Sequence, residues 1–316
     1  MNILVTGGAG YIGSHTVRAL LSSRRFTPVV FDNLSTGHAE SVPEGTVLVK
    51  GDIHDIDFVA DTLKKYNIEG VIHFAAYSLV GESMVDPAKY YTNNVEGTLH
   101  LLLGMKKAGV DKIVFSSTAA VYGEPEKTPI EEDFPHNPTN VYGRTKLVIE
   151  NMMRDFTNAY GPALDGSIGE DHNPESHLIP LILKTAQGVR DHIAIYGTDY
   201  PTPDGTCIRD YIHVLDLADA HVLAMKYLAE GGKSTYFNLG SEKGFSVREI
   251  IETAKKVTGI DFKVTEEARR SGDPAILIAS SKKCRETLGW HPIHSTTEEI
   301  IASAWKWHKE HPYGYK

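Results

Sequence analysis

The sequence predicts an α/β fold in which a doubly wound parallel sheet is followed by a smaller C-terminal substrate-binding region. Three observations carry this expectation. Apolar runs of strand length alternate with helix-length patterns through the first half of the chain. A glycine-rich stretch, Thr6-Gly7-Gly8-Ala9-Gly10-Tyr11-Ile12-Gly13, joins the first run to the first helix. From Gly161 to Gly205 proline and glycine become dense, and the elements beyond are shorter. Together they describe a Rossmann-like architecture, whose ligands sit at the carboxyl ends of the strands.

Asn2-Ile3-Leu4-Val5 reads as a buried parallel strand and passes at once into a helix carrying Ile12, Val17, Ala19, Leu20 and Leu21. Glycines at 7, 10 and 13 let the chain turn tightly, bring backbone amides against a pyrophosphate and allow the helix to lie close to the sheet. The second strand, Pro28-Val29-Val30-Phe31, ends at Asp32. A carboxylate there accepts both hydroxyls of an adenosine ribose and repels a 2′-phosphate, so the expected cofactor is NAD rather than NADP. Val47-Leu48-Val49, a helix over Asp55 to Tyr66, Gly70-Val71-Ile72-His73-Phe74, a long helix from about Ala88 to Lys107 and Lys112-Ile113-Val114-Phe115 continue the alternation. The strand ends then carry Gly7, Asp32, Asp52-Ile53, Ala75-Ala76 and Ser116 to Thr118. A helix over Val214 to Ala229 and a strand Thr235-Tyr236-Phe237-Asn238 are expected to return to this first domain. The expected division is residues 1–160, with roughly 211–240, for the dinucleotide, and 161–210 with 241–316 for the substrate.

At 316 residues the chain suffices for one large or two modest domains. A net charge of −9 without a basic cluster argues against a nucleic-acid partner. Two cysteines, Cys207 and Cys284, suit a reducing compartment. No apolar stretch approaches the roughly 20 residues of a membrane span. With a strand at its very start the chain shows no signal peptide, and a cytoplasmic location is expected. Fifteen histidines include no His-Glu-x-x-His or Cys/His spacing. His172, His177 and His213 are therefore read as loop or supporting residues, and no metal is expected.

Tyr142 and Lys146 stand four apart in a segment, Tyr142 to Asn158, whose Leu147, Ile149, Met152, Met153 and Phe156 give it a helical pattern. Both project from one face. A tyrosine titrates near ~10, and a neighbouring ammonium together with a positive nicotinamide favours its phenolate at working pH. The Thr118 hydroxyl, at the end of the fifth strand, is placed to bond the same substrate oxygen. Hydride chemistry on a sugar-like alcohol is the function these residues indicate.

These motifs resemble the extended short-chain dehydrogenase/reductases and, within them, the UDP-glucose 4-epimerase family. The likeness runs nearly end to end, through Asp32-Asn33-Leu34, His73-Phe74-Ala75-Ala76, Val80-Gly81-Glu82-Ser83, Ser116 to Gly123, Asp204 to His213, Arg269-Arg270-Ser271-Gly272-Asp273 and the terminal Trp307 to Tyr315. It implies that a hydride passes from C4 of UDP-galactose or UDP-glucose to tightly held NAD while Tyr142 removes the 4-hydroxyl proton with Thr118 assisting. The 4-keto sugar then turns over and takes the hydride on its other face. By the same likeness Lys146 binds the nicotinamide ribose, Asp32 and Asn33 hold the adenosine ribose, Asp52 and Ile53 flank the adenine, and Phe74, Ala75 and Asn94 line the cofactor channel. Leu178, Arg209, Tyr211, Arg270 and Asp273 match positions that take the uridine diphosphate. Leu277 matches one beside the sugar ring, where a bulky aromatic excludes 2-acetamido sugars. The resemblance also implies a homodimer. A related dehydratase is the second enzyme reading, against which Thr118 is followed by Ala119 and Ala120 rather than an acid; a catalytically silent NAD-binding protein is the third.

One break is anticipated. After the catalytic helix the family has a core strand bearing an asparagine for the diphosphate, whereas Asn158 to His172 reads as no strand at all. A chain lacking that strand, with activity in doubt, is the expectation here.

Overall fold

The computed structural model describes residues 1–160, 177–270, 273–294 and 296–311. In chain order the elements are β1 (Asn2–Thr6), α1 (Tyr11–Ser22), β2 (Thr27–Asp32), β3 (Val47–Lys50), α2 (Ile56–Lys65), β4 (Ile68–His73), α3 (Val80–Val85), α4 (Pro87–Tyr90), α5 (Gly97–Ala108), β5 (Ile113–Phe115), α6 (Val141–Tyr160) and α7 (Leu178–Ala186). They continue with β6 (Ile193–Tyr196), β7 (Ile208–Arg209), α8 (Val214–Ala229), β8 (Phe245–Ser246), α9 (Val247–Thr258), β9 (Val264–Glu267), β10 (Ile276–Leu277), α10 (Lys282–Leu288) and α11 (Thr297–Glu310).

The expected sheet is present. Its five strands run in the order β3-β2-β1-β4-β5, every neighbouring pair parallel. Period-two alternation divides the core. Ile3, Val5, Val30, Ile72 and Val114 face α1 and α8 through Val17, Leu20, Ala224 and Met225. Leu4, Val29, Phe31, Val71 and Phe115 face the opposite layer through Val59, Leu63, Leu101, Met105, Ile149 and Met153 of α2, α5 and α6. Such two-sided cover is why these strands are apolar throughout. The order reverses between β1 and β4, which opens a crevice at their carboxyl ends.

A second, smaller assembly pairs β6 with β9 and joins β10, β7 and β8 in a three-stranded sheet. Its core is Ile182, Leu183, Ile193, Ile195, Ile250, Ile251, Phe262 and Ile301, contributed largely by α7, α9 and α11.

Three expectations change. The long helix over 88–107 is interrupted, because residues 91–96 wind as a π-helix between α4 and α5. There the Thr98 hydroxyl donates to the Asn94 carbonyl at 2.6 Å, and the Asn94 amide is engaged outside the helix. Thr235–Asn238 forms no strand. Side chains take its backbone groups instead: Lys283 Nζ donates to the Tyr236 carbonyl at 2.6 Å and the Asn238 amide donates to Glu132 Oε1 at 2.8 Å. The anticipated loss of a core strand over Asn158 to His172 is not borne out; residues 158–160 end α6, and 161–172 lie outside the described residues.

Candidate active site

The crevice between β1 and β4 is a cleft of about 900 Å³, open solvent at its mouth included. Its floor is built from backbone. Gly7 has a φ of +71°, and a Cβ there would lie 2.7 Å from the Ala75 amide nitrogen across the switch point. A Cβ on Gly13 would overlap the Gly7 carbonyl oxygen. Gly10 starts α1 with no side-chain cap, and the first turn carries no acidic residue. The amides of that turn and the positive end of the helix dipole are thus left for an anion.

Of the cofactor residues expected from sequence, Gly7, Gly10, Tyr11, Ile12, Gly13, Asp32, Asn33, Asp52, Ile53, Phe74, Ala75 and Lys146 all border this cleft. Asp32 accepts from the Ala9 amide at 3.0 Å and the Leu34 amide at 2.8 Å, which ties the glycine turn to the end of β2. Burial pushes its carboxyl above the ordinary value despite those bonds. Asn33 Nδ2 donates to Asp52 Oδ2 at 3.0 Å, linking the ends of β2 and β3. Asn94 is placed differently. The π-helical winding turns Asn93 to the cleft and leaves Asn94 fully buried behind it, bonded to both backbone groups of Tyr77 and, at 3.2 Å, to Thr145 Oγ1.

The cleft fits a dinucleotide on its own terms. Besides the glycine turn, the hydroxyls of Ser78 and Ser116 are buried on its wall without a hydrogen-bond partner. Orphaned donors of this kind suit a polar ligand.

Tyr142 and Lys146, both buried on α6, also border the cleft. The Tyr142 amide donates to Ser83 Oγ at 3.1 Å, so α3 anchors the first turn of α6. Lys146 Nζ donates to the Ser116 carbonyl at 2.8 Å and lies 4.6 Å from the Phe115 ring and 5.8 Å from the Tyr142 ring. Phe115 stacks with His73 at 5.6 Å. Burial, then the charge of Lys146, pushes His73 down to about 3, so this imidazole is neutral. Its tautomer follows from its partners. Thr98 spends its proton on the Asn94 carbonyl and must accept from His73 Nε2 at 2.9 Å, leaving Nδ1 to accept from Thr6 Oγ1 at 2.7 Å. Thr118, half-buried at the strand end, accepts from the Ala120 amide at 3.2 Å and caps the short turn 119–122.

The residues expected for a uridine diphosphate lie on the second assembly. Asp273 sits between two arginines, 3.5 Å from Arg209 and 2.9 Å from Arg270, whose guanidinium lies 4.8 Å over Tyr196. Leu277 is the register partner of Arg209 and packs against Val121, Tyr122 and Ile130, the first two of them on the turn that Thr118 caps. Leu178 and Tyr211 meet in the core formed by α7, α9 and α11. Burial pushes the Tyr211 phenol up. His213 caps α8 by accepting from the Leu215 amide at 3.1 Å, and His177 precedes α7; His172 lies outside the described residues.

Sequence reasoning missed Ser78, Asn93, Ser83 and the Ser117 hydroxyl, which donates to Glu150 of α6. Only the last had a readable signal, the four-residue step from Lys146 to Glu150.

A model of the NAD dependent epimerase/dehydratase family matches residues 3–240. The UDP-glucose 4-epimerase of Lacticaseibacillus casei is 51% identical over 328 aligned residues, covering 100% of this chain and 99% of that one. The crystal structure of UDP-glucose 4-epimerase from Brucella ovis in complex with NAD has a TM-score of 0.90 at 47% identity, covering 96% of this chain and 98% of that one. That of the Bifidobacterium longum enzyme in complex with NAD+ and UDP has a TM-score of 0.93 at 35% identity, covering 100% of both chains. Likeness of this extent, joined to the glycine turn and the Tyr142/Lys146 pair on one cleft, places the chain in the NAD dependent epimerase/dehydratase family.

Proposed function

We propose that this chain interconverts UDP-glucose and UDP-galactose by transient oxidation at C4 with tightly bound NAD. The observation that carries the reading is the Tyr142/Lys146 pair, held on the dinucleotide cleft by Ser83 and the Ser116 carbonyl. It is supported by relatives and solved structures that are UDP-glucose 4-epimerases, two of them holding NAD. The same reading takes 1–160 with roughly 211–240 as the NAD-binding domain, 161–210 with 241–316 as the UDP-sugar-binding region, and the enzyme as a cytoplasmic homodimer.

NAD, when bound, would supply the hydride acceptor and donor for C4 of the sugar. The glycine turn and the first turn of α1 hold its pyrophosphate, and Asp32 with Asn33 holds the adenosine ribose. Tyr142 moves the proton at the 4-hydroxyl in both directions, with the Thr118 hydroxyl bonded to the same oxygen. Lys146, fixed by the Ser116 carbonyl, puts a cation beside the phenol and binds the nicotinamide ribose. Arg209 and Arg270 meet the diphosphate, with Asp273 keeping both forks oriented.

The test is turnover of UDP-galactose by the purified protein and by Tyr142→Phe. We expect the variant to retain NAD and lose about 10² to 10⁴ in rate. A variant keeping half of the parent's turnover overturns the role of Tyr142, and a parent that binds NADP in preference to NAD overturns that of Asp32.

A further inference from the structure

α6 carries a third polar residue in step with its catalytic pair. Tyr142, Lys146 and Glu150 recur at four-residue intervals and so share one face of the helix. The proposed mechanism makes no use of Glu150. Yet it is half-buried and accepts a hydrogen bond from the Ser117 hydroxyl. Ser117 lies between Ser116, whose carbonyl accepts from Lys146, and Thr118, whose hydroxyl caps the following turn. The helix therefore grips two consecutive residues of the strand end through two consecutive turns of its own.

From this geometry we infer that Glu150 is a positioning residue for proton transfer: through Ser117 it fixes the strand end that presents Thr118, and its charge sets how strongly Lys146 favours the Tyr142 phenolate. The inference rests on the reading of Tyr142 as the proton-transfer group.

The surroundings of Glu150 make its charge state responsive to pH. Among the described residues the charged and titratable groups facing it are Lys146 and Arg154 on its own helix and Tyr122 on the 119–122 turn. His136 stands edge-on to Tyr122 at 4.9 Å and also feels Arg154. Burial carries the Glu150 carboxyl up to about 7, against the bond from Ser117 and the charges of Arg154 and Lys146. Below neutrality it is a neutral acid, and the field of Lys146 acts undiminished on the phenol. Above neutrality it is an anion one helical turn from Lys146, and that field is partly offset.

The experiment is an ultraviolet titration of the Tyr142 phenolate in the NAD-loaded protein, isolated by subtracting the spectrum of Tyr142→Phe. It is made on the parent, on Glu150→Gln and on Ser117→Ala. Glu150→Gln keeps an oxygen for Ser117 but cannot ionise, so its phenolate should form about 0.5 pH unit or more below the parent's. The acid limb of kcat, which formation of the phenolate sets, should move with it while KM for UDP-galactose changes less than about twofold. Ser117→Ala withdraws the bond that favours the carboxylate and should move the phenolate in the same direction by less. Titrations that superimpose, or a phenolate that forms at higher pH in Glu150→Gln, overturn the inference. Should Glu150→Gln lose its fold or its NAD, the direction of the shift in Ser117→Ala decides alone. A parent with a normal Tyr142 titration and no turnover of UDP-galactose would instead overturn the proposed reaction.

Discussion

The cofactor cleft and the Arg209/Asp273/Arg270 cluster are built by opposite means. In the cleft the working surface is main chain: a glycine turn with no room for a Cβ, an uncapped helix start and the ends of parallel strands. In the cluster it is side chains, Arg209 on a strand of two residues and Arg270 and Asp273 outside any strand, with both guanidinium groups engaged by one carboxylate. A main-chain site cannot be adjusted without moving the sheet, whereas a side-chain site can be re-aimed by a rotamer. The first is suited to a ligand that never changes, the second to one that arrives, turns over and leaves.

Substitutions should separate the two sides. Gly13→Ala forces its methyl onto the Gly7 carbonyl and shifts the turn, so we expect the protein to purify without NAD and to lose about 100-fold in rate. Retained NAD, read by absorbance after denaturation, would show that the turn yields more easily than its packing indicates. Arg209→Ala removes charge-assisted bonds to an incoming diphosphate and leaves Asp273 to Arg270. KM for UDP-galactose should rise about 10- to 100-fold, and NAD content should stay unchanged. Loss of NAD in that variant would break the separation.

Leu277→Tyr is the milder probe of the adjustable side. Leucine is smaller than tyrosine beside the turn that Thr118 caps, and we expect weak activity of the parent on UDP-N-acetylglucosamine. The tyrosine should lower that activity about tenfold relative to UDP-galactose. Equal handling of the acetamido sugar by parent and variant would remove Leu277 from the pocket.

Acid should attack the cofactor side. Burial pushes His15 and His221 down to about 4 and His73 to about 3, all from an ordinary value of 6.5. Their native values lie below the unfolded one, so the stability they contribute is complete above about pH 6.5 and is lost as the pH falls toward 4. The loss is on the order of 1 kcal/mol per histidine for each unit. Glu150 works in the other direction, because a carboxyl raised from 4.5 to about 7 withdraws its contribution as the pH rises between those values and so offsets part of the histidines' gain. Thermal midpoints should rise from about pH 4.5 to near neutrality and level off above it; a flat profile over the acid range would mean that these imidazoles reach water before unfolding.

The two sides also differ in how legible they were. The glycine turn, Asp32 and the strand ends could be read because each is fixed by neighbours within a few residues, and the parallel sheet with helices on both faces followed from the alternation. Asn94 was assigned by likeness, which does not separate it from its neighbour Asn93; the π-helical turn does, setting Asn93 on the cleft and Asn94 behind it. Ser83 stayed hidden for another reason: it acts across the fold, on the Tyr142 amide, and no local pattern marks such a contact; for Ser117 the step from Lys146 to Glu150 was the one trace. On the second assembly the juxtaposition of Arg209 with Leu277 depends on a parallel pairing of two-residue strands, too short to leave a period in the sequence.

Residues 91–96 hold one residue more than an α-helix would need to cover the same length. Deleting a single residue there should let the chain close into one uninterrupted helix, with better local hydrogen bonds than it has now. The π turn absorbs the extra residue, so the flanking residues would keep their faces and the change would fall on the stretch itself, where Asn93 could no longer hold its place on the cleft while Asn94 holds Tyr77 and Thr145. The stretch is thus an insertion held in place by its neighbours, and a chain one residue shorter there should fold readily and hold its cofactor poorly.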